Sequence, residues 1–182
     1  MVSPLNSPVF VHPEFFLASD CERIRAAMDS AAASPAEIYH TDDYRIDEEA
    51  RRAFEIEVAD DIINDVQQVI DRVRLALAQF FGIALSGHEG PGFLRYPRGG
   101  FYGRHVDVAP DWDELFPRRI AIVLFLTSAG EHCEGGSLCV YLPEMSDIPP
   151  RAGTLVAFPA DLPHEVLPVT SGVRDVVVDW FY

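Results

Sequence analysis

The residues with the clearest potential for chemistry are His105 and Asp107, two positions apart in the stretch FYGRHVDVAP. This stretch has no helical pattern, and side chains at positions i and i+2 of an extended chain point to the same face. An imidazole and a carboxylate are therefore expected to lie side by side. A His-x-Asp pair is common by chance, so a functional interpretation needs a further partner.

The partner predicted from the sequence is His164, which a turn in FPADLPHEVLP delivers to the start of a strand. Two imidazoles and one carboxylate occupy one face of an octahedral Fe(II) ion and leave three positions for other ligands. A redox enzyme needs such open positions, whereas a structural metal site lacks them. The remaining histidines lie in the N-terminal segment or in polar loops and turns, where histidines are usually solvated: His12, His40, His88 and His132.

A candidate anion-binding residue, Arg174, lies ten residues after His164 in SGVRDVVVDWFY. Ten extended residues span about 33 Å, too long for one uninterrupted strand, so the intervening PVTSG stretch is predicted to turn Arg174 back toward the metal ligands. A buried guanidinium beside a metal would bind a carboxylate bidentately. This combination is typical of an Fe(II) enzyme whose cosubstrate is a 2-oxo dicarboxylic acid.

Two other interpretations of the same residues stay open at this point. A zinc hydrolase can use the same ligands, although Arg174 and its surroundings favour the Fe(II) enzyme. A metal-binding cupin without redox chemistry would share the barrel fold, but it would normally lack the arginine.

The elements that must position these residues change character at about residue 92. Before it, SDCERIRAAMDSAAA is predicted to form a helix capped by Ser19, with Glu22 completing a capping box. Residues 59–82 are predicted to form a second amphipathic helix that ends at a glycine. A short strand is predicted at residues 54–58.

From residue 92 onward, short β-rich runs are separated by Gly, Pro and Asp clusters. Because the helices precede these strands without alternating with them, we expect an α+β, mainly β fold with a double-stranded β-helix (jelly-roll) core. Residues 1–182 are predicted to form one domain, with a helical support region at 1–91 and the jelly-roll core with the metal site at 92–182. The predicted strands lie in GFLRYP, RRIAIVLFLT, GSLCVYLP, GTLVAFP and VRDVVVDWFY.

Composition narrows the class of partner. The formal net charge is −15, and all 14 basic residues are arginine. This acidity argues against a nucleic-acid partner and against an anionic membrane surface, and it favours a neutral or cationic substrate. Three cysteines without Cys-x-x-Cys spacing, no secretory signal pattern and no long apolar run predict a cytoplasmic protein. No pattern indicates an oligomeric state.

Residues 93–182 resemble the 2-oxoglutarate/Fe(II)-dependent dioxygenases, in particular their prolyl-4-hydroxylase-like branch. YPRGGFYGRHVDV is similar to the segment in which Tyr-Pro opens the strand run and His-x-Asp ligates iron. EGGSLCVY is similar to the Gly-Gly-x-Leu strand of that branch. GTLVAFPADLPHEVLPVTSGVRDVVVDWFY resembles its closing stretch, with His-Glu-Val-x-Pro, the arginine and an aromatic end.

The resemblance implies a role for each candidate site residue. It assigns His105, Asp107 and His164 to Fe(II) as the catalytic metal ligands. It assigns Arg174 to the distal carboxylate of 2-oxoglutarate and Tyr96 to the wall of the cosubstrate pocket.

One position departs from the family pattern. The nearest relatives place a second tyrosine on the RRIAIVLFLT strand to help hold the cosubstrate carboxylate, and this sequence has Phe125 there. A different hydroxyl, such as that of Thr154, is then expected to assist Arg174.

The resemblance also implies an activity. It predicts a hydroxylase that uses Fe(II), 2-oxoglutarate and O₂, with ascorbate as a candidate reductant, and releases succinate and CO₂. A peptidyl or small-molecule substrate is expected, with hydroxylation at a prolyl or other amino-acid-type C–H bond. A free or carrier-bound natural-product intermediate and a non-catalytic cupin-like module are the alternatives. Arg95, Arg98 and Arg104 are predicted to hold a substrate carboxylate.

Overall fold

The structure is a computed structural model that describes residues 8–40, 43–108, 117–142 and 145–182. Within these ranges the chain is mainly β, with antiparallel strands and three helices. The helices are α1 (Ala18–Asp29), α2 (Asp60–Asp71) and α3 (Arg74–Phe81). The strands are β1 (Phe10–His12), β2 (Ala32–Pro35), β3 (Ile38–His40), β4 (Asp43–Arg45), β5 (Arg51–Arg52), β6 (Phe54–Glu57), β7 (Gly92–Tyr96), β8 (Phe101–His105), β9 (Ile120–Phe125), β10 (Cys133–Gly135), β11 (Leu138–Tyr141), β12 (Met145–Ile148), β13 (Leu155–Pro159), β14 (His164–Val166), β15 (Val169–Gly172) and β16 (Arg174–Phe181).

The larger sheet has seven strands in the order β1-β13-β9-β16-β7-β6-β2. Its strand β9 is buried on both faces, as its continuous run of apolar residues predicts. Side chains alternate along it, so Leu124 joins the helices in one apolar cluster, while Val123 and Phe125 join a second cluster on the opposite face. The helices therefore cover one face of this sheet.

The smaller sheet has five strands in the order β12-β11-β14-β8-β5. Its Leu138, Val140 and Val166 lie in the same apolar cluster as Val123 and Phe158 of the larger sheet. The two sheets consequently pack face to face. Between them lies a cavity of about 530 Å³.

The first helix begins differently from the prediction. Its N-cap is Leu17, and Ser19 lies inside the first turn. The carboxylate of Asp20 accepts a hydrogen bond from the backbone N–H of Leu17 at 3.3 Å. The carboxylate of Asp20 in the first turn therefore accepts from the N-cap backbone N–H. The predicted capping box of Ser19 and Glu22 is wrong.

The predicted helix over residues 59–82 is two helices in the structure. The backbone N–H groups of Arg72 and Val73 donate to carbonyls three residues earlier, a tight turn that separates α2 from α3. Buried Ile70, Val73 and Leu77 continue the apolar stripe across the break. The periodicity therefore gave no sign of it. The predicted glycine end is confirmed, since Gly82 has a φ of 68°.

The first half of the chain is not only helical. The strand predicted at residues 54–58 is confirmed as β6. In addition, β1 pairs with β13 at the edge of the larger sheet, and β5 pairs with β8 at the edge of the smaller one. The N-terminal half thus supplies strands to both sheets as well as a helical layer.

All five predicted strand runs after residue 92 contain a strand of the structure: β7, β9, β11, β13 and β16. The PVTSG stretch is different, because it forms β15 and pairs with β10 in a separate two-stranded sheet. The segment is therefore a strand. It leads the chain from the smaller sheet to Arg174 on the larger one, and Arg174 returns to the cavity of the metal ligands as predicted. No helix in the described ranges is both long and apolar enough to cross a membrane.

Candidate functional site

Three potential metal ligands meet where the smaller sheet ends. His105 is the last residue of β8, His164 is the first residue of β14, and the two stand directly opposite each other in the antiparallel pairing. The backbone N–H of Asp107 donates to the carbonyl of Ala160 at 2.8 Å, which ties the residues after β8 to the turn before His164. The ligand atoms of His105, Asp107 and His164 all lie within 4.8 Å of one another.

The hydrogen bonds of the two imidazoles determine which ring nitrogen is free. His105 Nδ1 lies 2.8 Å from the carbonyl oxygen of Gly103, and His164 Nδ1 lies 2.9 Å from that of Leu162. A carbonyl can only accept, so in the neutral form of each imidazole Nδ1 carries the proton and Nε2 keeps its lone pair. Both Nε2 atoms lie 3.4 Å from carboxylate oxygens of Asp107. Two bare nitrogens and one carboxylate thus converge, as a divalent-metal site requires.

The electrostatics of the group favour its metal-binding protonation states. Burial raises the pKa of Asp107, but His164, His105 and the indole of Trp180 together outweigh it and lower that pKa to about 2. Burial lowers the pKa of His164, an effect that exceeds the opposing attraction of Asp107. At neutral pH the carboxylate is therefore ionised and the imidazole of His164 neutral, the forms that bind a metal.

Aromatic rings surround these ligands. Tyr102 stacks on His105 with ring centres 3.5 Å apart, and Phe158 meets His164 edge-on at 4.7 Å. The indole Nε1–H of Trp180 donates to Asp107 Oδ2 at 2.9 Å. Trp180 is not among the site residues predicted from the sequence. Its even spacing from Arg174 on one strand was the signal that it faces the same cavity.

Arg174 lies at the start of β16, directly opposite Tyr96 on β7. The residue is only 1% exposed, and its Nε and Nη1 atoms have no hydrogen-bond partner among the described residues. Burial lowers the pKa of the guanidinium, while Tyr96 opposes that change. An unpaired buried cation is costly unless an anion joins it. The unpaired N–H groups therefore fit a carboxylate ligand.

Gly136 explains part of the EGGSL motif. It has a φ of 69°, and a Cβ built on it would lie 2.9 Å from Cδ of Arg174. The missing side chain lets the stem of Arg174 pass close to the backbone. Any larger residue would have to displace the arginine.

Phe125, which stands where the nearest relatives have a tyrosine, lies beside Arg174. The guanidinium carbon lies 5.3 Å from the centre of the Phe125 ring and 4.8 Å from that of Tyr96, so Tyr96 brings a phenol to this end of the cavity. Thr154 is buried, and its hydroxyl has no hydrogen-bond partner in the part of the chain that the structure describes. It does not belong to the described lining of the cavity. The structure gives no support to the expectation that Thr154 assists Arg174.

The predicted cluster of substrate-binding arginines is not at the site. Arg95 points away from the cavity and pairs with Asp175 and Asp29, at 2.8 and 2.7 Å. The guanidinium of Arg104 is 3.5 Å from the ring centre of Tyr141 and the residue is exposed. Neither these two arginines nor Arg98 belongs to the described lining of the cavity, so this prediction is wrong. The cavity-lining arginines that the structure describes are Arg51, Arg118 and Arg174.

All five predicted site residues line the one cavity between the sheets: Tyr96, His105, Asp107, His164 and Arg174. Its volume, about 530 Å³, is that of an ordinary small-molecule site. The structure thus brings together a candidate metal centre and a buried cation for which the described residues provide no ion pair.

This combination agrees with what the chain is similar to. The family described as the 2OG-Fe(II) oxygenase superfamily matches residues 91–182, half of the chain. The chain therefore belongs to this superfamily. Fe(II), 2-oxoglutarate and O₂, the cofactors predicted from the sequence, are those of the superfamily, and the His-Asp-His group fits the metal.

Curated relatives point to one branch of it. A PKHD-type hydroxylase of Aliarcobacter butzleri is 31% identical over 137 residues, covering 72% of this chain and 60% of that protein. A PKHD-type hydroxylase of Rippkaea orientalis is 38% identical over 90 residues, covering 48% of this chain and 40% of that protein. The chain thus spans between 40 and 60% of the length of these relatives.

Solved structures cover the chain more fully. A prolyl-4-hydroxylase of Pseudomonas putida is 27% identical and has a TM-score of 0.76, covering 97% of this chain and 92% of that one. A prolyl hydroxylase of Trichoplax adhaerens, in complex with a hypoxia inducible factor peptide fragment, has a TM-score of 0.78 at 17% identity, with 97% and 84% covered. The latter likeness concerns the fold alone. The predicted place in the prolyl-4-hydroxylase-like branch is confirmed.

Proposed function

We propose that this chain is an Fe(II)- and 2-oxoglutarate-dependent dioxygenase that hydroxylates an unactivated C–H bond and releases succinate and CO₂. The observation that carries the proposal is the position of Arg174. Its guanidinium is buried, has no hydrogen-bond partner for Nε and Nη1 among the described residues, and lines the same cavity as the His-Asp-His group. A zinc hydrolase or a simple metal-binding cupin has no use for a buried carboxylate-binding cation at that place.

Each residue then has a definite task. His105 and His164 would hold Fe(II) through Nε2, and Asp107 would hold it through a carboxylate oxygen. Arg174, with Tyr96 beside it, would hold the distal carboxylate of 2-oxoglutarate. The bound iron supplies the activation of O₂ and the oxidation of the substrate C–H bond.

The same proposal extends to the architecture. We infer that the two facing sheets form the double-stranded β-helix of the superfamily and that residues 1–182 make one domain. Support comes from the apolar cluster that both sheets share and from the likeness of 97% of the chain to the Pseudomonas putida enzyme.

For the substrate, we propose a prolyl or other amino-acid-type group, in a peptide or as a small molecule. The support is that the similar proteins described above are PKHD-type and prolyl hydroxylases. The formal charge of −15 favours a neutral or cationic substrate over a phosphorylated one.

The decisive experiment begins without oxygen. Fe(II) and 2-oxoglutarate added to the protein should give the weak visible charge-transfer band of a chelated 2-oxo acid. His105→Ala should abolish the band, whereas His12→Ala, which changes an exposed histidine, should leave it intact. Zinc binding without an iron-dependent band would contradict the proposal.

Turnover tests the substrate class. Protein, Fe(II), 2-oxoglutarate and ascorbate are incubated in air with free amino acids, proline-containing peptides or a cell lysate. We expect succinate release and a product heavier by one oxygen atom on a prolyl or amino-acid group. Oxidation confined to a natural-product intermediate would contradict the substrate class, and succinate no higher than with His105→Ala would favour a non-catalytic module.

A further inference from the structure

The carboxylate of Asp107 has a hydrogen-bond donor that belongs to neither histidine. The indole Nε1–H of Trp180 lies 2.9 Å from Asp107 Oδ2, and an indole N–H can only donate. The torsion that rotates an aspartate carboxylate is broad, so a donor at a set position selects one orientation. That orientation turns the two oxygens toward the Nε2 atoms of His105 and His164, each at 3.4 Å.

The Trp180 ring is itself held in place. The guanidinium carbon of Arg118 lies 3.7 Å from the ring centre, a close cation–π contact. Arg118 in turn donates two hydrogen bonds to the carboxylate of Glu89. Its Nε lies 2.6 Å from Oε1, and its Nη2 lies 2.7 Å from Oε2. A bidentate pair sets the plane of a guanidinium as well as its place.

Glu89 comes from the segment between α3 and β7, which is hydrogen-bonded to β16 at Trp180 and at Asp179. The backbone N–H of Glu89 donates to the Trp180 carbonyl at 3.0 Å. The next backbone N–H, that of Gly90, donates to Asp179 at 2.9 Å. His88 Nδ1 lies 2.6 Å from the other Asp179 oxygen, with both side chains buried. The expectation that His88 is a solvated loop histidine is therefore wrong.

We propose that Trp180 is a positioning residue for the metal ligand Asp107, and that Glu89 and Arg118 act through it by holding its ring. These contacts connect Glu89, through Arg118 and Trp180, to the candidate metal ligand Asp107. This inference rests on the proposed function, because Asp107 matters only if it ligates the metal.

The test compares wild type with Trp180→Phe. Phenylalanine keeps a ring under Arg118 but has no N–H to donate. Co(II) stands in for Fe(II), and its visible absorption reports both affinity and ligand geometry. We expect Trp180→Phe to bind Co(II) about 10- to 100-fold more weakly, the range for losing a partner that orients a metal ligand, and to change the Co(II) spectrum. Unchanged affinity and spectrum would overturn the inference.

A double-mutant cycle tests whether Glu89 acts through Trp180. Glu89→Gln should weaken Co(II) binding less than Trp180→Phe does, and the double variant should be no weaker than Trp180→Phe alone. Independent, additive losses would show that Glu89 does not act through Trp180. Glu89 lies in the segment between α3 and β7, outside the helices and strands, so this variant also serves if Trp180→Phe fails to fold. Asp65→Asn, which breaks the exposed Arg23–Asp65 pair between α1 and α2, is the matched control and should bind Co(II) like wild type.

The outcomes separate this inference from the proposed function. Wild type that binds no Co(II) and gives no Fe(II)–2-oxoglutarate band would overturn both. Wild type that shows the band, together with a Trp180→Phe variant of equal metal affinity, would overturn only the positioning role.

Discussion

The two ends of the cavity bury polar groups in different ways. At the metal end, the two imidazoles donate to backbone carbonyls and the Asp107 carboxylate accepts from Trp180. At the other end, Arg174 is more deeply buried and leaves Nε and Nη1 unpaired among the described residues. The described residues thus satisfy the polar groups of the first end by hydrogen bonds, whereas they leave two donors of the second end free for an anion.

This difference has an energetic meaning. Groups that are already hydrogen-bonded cost little to keep in the unliganded protein. An unpaired buried cation lowers stability until a ligand compensates it. We therefore expect metal binding to depend on the geometry of the donors, and cosubstrate binding to depend on one strong ionic contact.

The largest effect is expected from removing a ligand at the metal end. In Asp107→Ala only two imidazoles remain, and two ligands hold a divalent metal poorly. Co(II) affinity should fall by more than the roughly 100-fold that losing a partner of a metal ligand costs. Titration followed by visible absorption measures this, with His12→Ala as the control. A variant that still binds Co(II) tightly would remove Asp107 from the metal site.

A similarly large but separate effect is expected at the other end. Arg174→Ala should weaken 2-oxoglutarate binding by about 2–5 kcal/mol, roughly 30- to 5,000-fold, and leave Co(II) affinity close to that of wild type. Calorimetric titration of 2-oxoglutarate into the metal-loaded variant is the measurement. Loss of both affinities together would mean that the two ends are not independent.

A stability measurement sharpens the contrast. Arg174→Met replaces the unpaired cation by an apolar chain of similar length, so the unliganded protein should be more stable by about 1–4 kcal/mol. Denaturant unfolding without ligand tests this. Addition of 2-oxoglutarate should then stabilise wild type and not the variant. A less stable Arg174→Met protein would show that the arginine already has a satisfactory partner.

The smallest effect is expected at Gly136. Gly136→Ala should cost roughly 1–2 kcal/mol for a non-glycine residue at positive φ and should also weaken 2-oxoglutarate binding, because its Cβ would press on Arg174. Gly82 has nearly the same φ, 68°, with nothing within 4 Å of a built Cβ. Gly82→Ala therefore carries the same backbone strain without the contact. Equal cosubstrate affinity in the two variants would contradict the account of Gly136.

The parts of the site that could be predicted from the sequence depended on local spacing or on family motifs. His105 and Asp107 share a face because they are two apart on an extended segment. His164 and Arg174 were found by their motifs, and the structure places them in one cavity with that pair. The even spacing of Trp180 from Arg174 indicates that it faces the cavity, but its contact with Asp107 joins residues 73 positions apart, and no local pattern encodes that contact.

The arginines show the same limit of prediction from the sequence. Three arginines lie close in sequence to His105: Arg95, Arg98 and Arg104. Arg95 nevertheless points to the face of the larger sheet that the helices cover, and it pairs there with Asp175. Arg118 was not singled out from the sequence, and it stacks on Trp180 beside the metal ligand. Proximity along the chain was a poor guide, because strand direction and partner charges decide where a long side chain ends.

By itself, the sequence determined the class of fold, the strand runs after residue 92, the family and the identity of the candidate ligands. These follow from periodicity, turn residues and short motifs, all of which are local. Only the tertiary structure decided that the helix over 59–82 breaks, that β1 and β5 join the two sheets, and that Glu89, Arg118 and Trp180 support Asp107. Such features depend on which distant segments pack together, and packing is settled by the whole chain at once.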